Sequence, residues 1–216
     1  MKNMHRREFS TALLGASALA VGLPAAAQGG PVEGTHYVRL GQPLAVTAPA
    51  GKVEVVEFFW YGCPHCNVFE PMLEAWAKKL PADVSFRRVP VAFRDEPFGT
   101  HQRIYYALET LNQVEAMHRK VFYAIHNDRQ KLDKPAEIAA FMTKNGLDGA
   151  KFVEVMNSFS VQTKARQAKQ LAEAYKIDGV PALGVQGRFY TSGSLAGSPE
   201  QSLRVTDFLI ERSRKA

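Results

Sequence analysis

The chain has 216 residues, 46% of them apolar and 22% charged, which excludes a disordered polypeptide. Its 27 Lys and Arg against 21 Asp and Glu give a formal charge of +6, but the basic residues are scattered among acids, so no nucleic-acid face is expected. Two cysteines are too few for a disulfide scaffold or a four-thiolate metal site, and the length supports a sizeable core without staples.

Residues 1–27 read as a secretory signal peptide. Lys2, Arg6 and Arg7 form a positive start, Thr11 to Gly22 an apolar run, and Ala25-Ala26-Ala27 a cleavage signal. Arg6-Arg7 also fits a twin-arginine signal, although His5 stands where Ser or Thr is more usual. The apolar run is too short to span a membrane. Lys2, Arg6, Arg7 and Glu8 leave with the leader, so the formal charge falls from +6 to +4. The mature chain is expected to be soluble and outside the cytoplasm.

Gln28 to Glu33 reads as a linker. Val53 to Phe59 is β-branched and aromatic and predicts a buried strand. Gly62-Cys63-Pro64 breaks it, and Pro64 suits the first turn of a helix, where its missing N–H costs nothing. That helix continues through Phe69, Leu73, Trp76 and Leu80, with Pro71 expected to kink it. Val84 to Val91 predicts a second core strand.

From about Phe98 to Tyr175 the pattern is helical. Apolar stripes run through Ile104, Tyr105 and Leu108, through Met117, Val121 and Ile125, and through Ile138, Phe141 and Met142. Asp148 is expected to cap a short helix to Met156, and a further helix follows from about Ser160. Ala182 to Val185 and Arg188 to Tyr190 then flank Gln186-Gly187, a two-residue hairpin turn. Ser198-Pro199-Glu200-Gln201 has the form of a capping box before a last helix carrying Leu203, Phe208 and Leu209.

Both cysteines lie in Cys63-Pro64-His65-Cys66. At a strand-to-helix junction the first sulfur falls at a helix N-terminus, where unpaired N–H groups and the helix dipole favour a thiolate. His65 adds a positive charge or a donor. Each effect stabilises the dithiol over the disulfide, which makes the disulfide oxidising. A purely stapling disulfide would close too short a loop to stabilise much. A zinc site would need ligands from His36, His101, His118 and His126, which lack ligand spacing. Haem attachment fails because Asn67, not His, follows Cys66.

The run Glu57-Phe58-Phe59-Trp60-Tyr61-Gly62-Cys63-Pro64-His65-Cys66 resembles the active-site segment of DsbA-type thiol:disulfide oxidoreductases. Gly179-Val180-Pro181-Ala182 resembles their cis-proline loop. The similarity spans nearly the whole mature chain. It implies an α/β, thioredoxin-like fold with an inserted all-helical domain, the two thioredoxin-like parts being 28–97 and 176–216 and the insertion 98–175. It implies an exposed, reactive Cys63, a buried resolving Cys66, and His65 tuning the thiolate. Pro181 would follow a cis bond against the cysteines, and Val180 would present its backbone to substrate. DsbA itself is the type case of a low-pKa cysteine and a strongly oxidising disulfide. Glu57 would act in proton movement if buried; on the sequence it could equally face solvent. Arg88, on the next strand, is its candidate partner.

The resemblance implies a periplasmic protein disulfide oxidoreductase, needing no cofactor. It would oxidise the cysteines of unfolded exported proteins and be reoxidised by a DsbB-like membrane quinone reductase. A disulfide isomerase or reductase is the main alternative, but only about 25 residues precede the first strong strand, too few for a dimerisation domain. A monomer is therefore expected. A thiol-based holdase or copper-binding module is a third reading, without a Met-rich or His-rich tract to support it.

Overall fold

The computed structural model describes residues 29–215; the expected leader and its cleavage signal lie outside them. Five strands form one mixed sheet in the order β1-β5-β4-β2-β3. They are β1 (Val38–Arg39), β2 (Val53–Phe59), β3 (Val84–Pro90), β4 (Ala182–Val185) and β5 (Phe189–Ser192). β2 pairs in parallel with β3, Val55 opposite Phe86 and Glu57 opposite Arg88. The other pairings are antiparallel. All seven β2 residues are buried, as a continuous β-branched and aromatic run requires of a strand covered on both faces.

Helix α1 (Pro64–Ala77) links β2 to β3 and runs through Pro71 without a break. Five helices follow before the chain returns to β4: α2 (Phe98–Thr110), α3 (Val114–His126), α4 (Pro135–Lys144), α5 (Gly149–Met156) and α6 (Phe159–Ala174). Ser158 and Asp148 cap α6 and α5 through their side-chain oxygens. The short α7 (Gly193–Ala196) and the long α8 (Pro199–Arg214) complete the chain. Ser198 caps α8 and Pro199 opens it. This is a thioredoxin-like sheet interrupted by a helical insertion.

Strand alternation divides the core. Val56 and Phe58 join a cluster with Ile104, Phe122 and Tyr175 of the insertion. Val53 and Val55 point to the opposite face, against Val205, Leu209 and Ile210 of α8. The β4–β5 turn has Gln186 and Gly187 both at positive φ, 51° and 61°, the two-residue geometry that follows the twist of a hairpin. A side chain at Gly187 would place its Cβ 2.3 Å from the Leu44 carbonyl oxygen.

β2 carries two buried acids. Glu54 is satisfied by the Thr47 N–H and hydroxyl, 2.8 and 2.6 Å away, and by Arg87. Glu57 has no such structural set, and its surroundings belong to the site.

Candidate active site

β2 ends at Phe59 and α1 begins at Pro64, so four residues, Trp60 to Cys63, carry the chain from sheet to helix. The Cys63 N–H donates to the Trp60 carbonyl at 3.0 Å, closing a turn. Cys63 is the N-cap of α1, in extended backbone conformation, and its Sγ accepts the Cys66 N–H at 3.4 Å. A sulfur thus occupies the place usually taken by a Ser or Asp oxygen. The Val180–Pro181 peptide is cis, and the Val180 carbonyl accepts from Cys63 Sγ at 3.4 Å. More than a hundred residues apart in sequence, the two motifs meet at one atom.

The cysteines are free thiols in unlike settings. Cys63 is held down to about 6. The Cys66 thiol donates to it, and this outweighs partial burial; the N–H groups of Cys66 and His65 and the charge of His65 add to it. Cys66 is pushed well above its ordinary value by burial, and by the neighbouring Cys63 sulfur. The resemblance implied an exposed Cys63, but only 7% of its surface is accessible, against 0% for Cys66, because the Val180-Pro181 loop covers it. His65 is exposed, and its charge ranks below the hydrogen bonds in lowering Cys63.

Beneath the cysteines lies a buried charged cluster. Arg88 Nε is 3.0 Å from Glu57 Oε2, off the N–H axis, so the contact is ionic and not a well-aligned hydrogen bond. The same guanidinium donates to Glu70 Oε1, and His118 Nε2 lies 3.4 Å from Glu70 Oε2. Both carboxylates are fully buried, and one guanidinium cannot neutralise two charges. Burial, then the Glu70 charge, push Glu57 well up despite Arg88. Burial acts the same way on Glu70, but His118 and Arg88 outweigh it and hold Glu70 below its ordinary value. Of the two, Glu70 is the more readily ionised and Glu57 the more readily protonated; Glu57 lies on the β2 face toward α1.

An open groove of about 590 Å³ runs between the start of α1 and the Val180-Pro181 loop. His65, Val68, Val180, Pro181, Tyr190 and Leu195 line it, and Val68 is 73% exposed.

Residues 54–203 match the family model for the DSBA-like thioredoxin domain. The DsbA thiol:disulfide interchange protein of Burkholderia cepacia is 43% identical over 207 residues, covering 96% of this chain and 97% of that protein. The Pseudomonas aeruginosa DsbA is 43% identical over 183 residues, 85% of this chain and 86% of that protein. The crystal structure of Pseudomonas aeruginosa DsbA superposes with a TM-score of 0.82 at 42% identity, covering 86% of this chain and 95% of that one. Oxidoreductase DsbA from Xylella fastidiosa gives 0.78 at 35% identity, covering 86% and 99%.

The chain belongs to the DSBA-like thioredoxin family. It is a protein disulfide oxidoreductase.

Among the residues of this DsbA-like chain singled out from sequence, the fold brings Cys63, Pro64, His65, Cys66, Val180 and Pro181 together at the start of α1. Glu57 lies below, beside Arg88. Glu70 and Tyr61 were not singled out, and His118 was weighed only as a zinc ligand. Glu70 had a signal, since it stands four residues after Cys66 on the stripe Cys66, Phe69, Leu73 that α1 buries, and an acid on a buried stripe needs a partner. His118 had none, because nothing local shows which sheet residue α3 meets.

Proposed function

We propose that the chain donates its Cys63–Cys66 disulfide to cysteines of newly exported proteins through a mixed disulfide. A substrate thiolate attacks Cys63 Sγ; the Cys63–Cys66 bond breaks and Cys66 leaves with the electron pair. A second substrate thiolate then attacks the substrate sulfur of the mixed disulfide, and Cys63 leaves as a thiolate. The substrate dithiol loses two electrons and the enzyme disulfide gains them. Cys66, whose thiol form is favoured by burial, takes up a proton in the first step. Glu57, in the same buried region and biased by burial toward its protonated form, is the residue we assign to move it. Pro64 opens the helix whose N–H groups receive the Cys63 thiolate.

The observation that carries this reading is the placement of Cys63 Sγ as N-cap of α1 against the Val180 carbonyl, two residues from His65 and in contact with Val180, both of which line the groove. An extended substrate would pair its backbone with Val180-Pro181 and lay apolar side chains along Val68 and Leu195. We place the reaction in the periplasm, with residues 1–27 removed, the mature chain a monomer, and reoxidation by a DsbB-like membrane quinone reductase. Among the described residues no helix is long and apolar enough to cross a membrane.

The test is oxidation of a reduced, unfolded model protein by catalytic amounts of the chain, with glutathione disulfide as terminal oxidant. Disulfides should form with multiple turnovers, and Cys63→Ser should abolish them. Faster rearrangement of scrambled disulfides without net oxidation would instead identify an isomerase.

A further inference from the structure

Tyr61, two residues before Cys63, is fully buried and held at both ends by one helix of the insertion. Its hydroxyl lies 2.8 Å from His118 Nδ1. Its carbonyl oxygen lies 2.8 Å from His126 Nε2. His118 and His126 are eight residues apart on α3, two turns along one face. Phe122, midway between them, packs on the Tyr61 ring at 5.0 Å and 69° and stacks with His126 at 6.1 Å and 26°. The three side chains form a clamp that fits Tyr61 at hydroxyl, ring and carbonyl.

The proton positions follow from the partners. Burial raises the Tyr61 phenol well above its ordinary value, so its O–H is a donor, and His118 Nδ1 is the acceptor. The neutral His118 ring, its pKa lowered by burial, then carries its hydrogen on Nε2, facing Glu70. His126 must carry a hydrogen on Nε2 to donate to the Tyr61 carbonyl.

The clamped residue adjoins both sulfurs through Trp60. The Trp60 carbonyl accepts the Cys63 N–H, and the Trp60 backbone acts on the Cys66 thiol, opposing its rise. Resting on the oxidoreductase reading above, we propose that His118 and His126 are positioning residues for the redox centre. The helical insertion, through its grip on Tyr61, holds the Trp60–Cys63 turn where α1 stabilises the Cys63 thiolate.

The test compares His126→Leu with His126→Gln in the full chain. The Gln amide N–H can reach the Tyr61 carbonyl as Nε2–H does; Leu cannot. Two quantities are read: the thiolate absorbance of reduced Cys63 against pH, and the equilibrium with glutathione. For His126→Leu the thiolate fraction below the midpoint should fall about threefold, half a pKa unit, and the glutathione equilibrium should move roughly threefold toward the disulfide. His126→Gln should stay near the unmodified chain. Tyr61→Phe, which removes only the hydroxyl, should shift both readings in the same direction and stands in if His126→Leu does not fold. Unchanged titration and equilibrium in folded His126→Leu, or in Tyr61→Phe if His126→Leu does not fold, would overturn the proposal, as would equal shifts in Leu and Gln. The unmodified chain separates the two readings: an ordinary thiol pKa there counts against the oxidase, whereas the clamp is judged on the ratio of variant to unmodified chain.

Discussion

The backbone N–H of Cys66 points at the sulfur of Cys63, 3.4 Å away, so the first cysteine caps the helix that carries the second. A charged cap at a helix N-terminus contributes on the order of 1 kcal/mol, and only the dithiol form can supply that charge. On the proposed function, the stabilised product of reduction is what would make the disulfide a donor. The Cys66 thiol adds a further hydrogen bond to the Cys63 thiolate, and this bond too exists only after reduction.

The Cys63 thiolate should therefore persist well below neutral pH. Ultraviolet thiolate absorbance of the reduced chain should titrate with a midpoint at about 6, not near the ordinary 8.5 or so of a free cysteine. The folded pKa is depressed, so the group stabilises the reduced fold above the unfolded pKa. That contribution is lost as pH falls through about 6. Urea unfolding of the reduced chain should show a rise in stability across this window that is absent from Cys63→Ser. A parallel pH profile in both proteins would contradict the assignment.

The two buried acids should answer amide substitution in opposite ways. Glu57→Gln mimics the protonated acid that the raised pKa favours and should change stability at neutral pH by less than about 1 kcal/mol, or raise it. Glu70→Gln removes the anion that Arg88 and His118 both face, leaving only Glu57 to ionise against Arg88, and should cost clearly more than Glu57→Gln, up to about 3–5 kcal/mol. Glu70, with its lowered pKa, contributes stability present above the unfolded carboxylate pKa and lost as pH falls through the folded one. Glu57, with its raised pKa, destabilises as pH rises above the unfolded value. Urea denaturation of both variants at neutral pH checks the pair; comparable losses would contradict the division of charge.

Groove and redox centre should separate experimentally. Val68→Asp puts a charge on the apolar wall, 73% exposed in the free chain, without touching either sulfur. Oxidation of an unfolded protein should slow roughly tenfold in kcat/KM, on the order of 1.4 kcal/mol, while the equilibrium with glutathione stays the same. A shift in that equilibrium would place Val68 in the redox machinery instead.

What the sequence disclosed and withheld follows from range. The Cys63–Cys66 helix, the hairpin at Gln186-Gly187 and the caps at Asp148 and Ser198 are set by neighbours within a few residues, and they stand as expected. β1 has two residues and α7 one turn, too short for any periodicity; β1 exists because β5 offers it an edge. Glu57 could not be called buried or exposed from β2 alone, because its face is decided by α1. Its Arg88 partner comes from the parallel register of β2 and β3. The accessibility of Cys63 depends on a loop more than a hundred residues later.

The reduction potential of the Cys63–Cys66 pair, from equilibration with glutathione, tests the central claim most directly. A thiolate-capped helix and a buried, protonated Cys66 predict a value more oxidising than about −200 mV. A value near that of thioredoxin, about −270 mV, would contradict the account and make the chain a reductase.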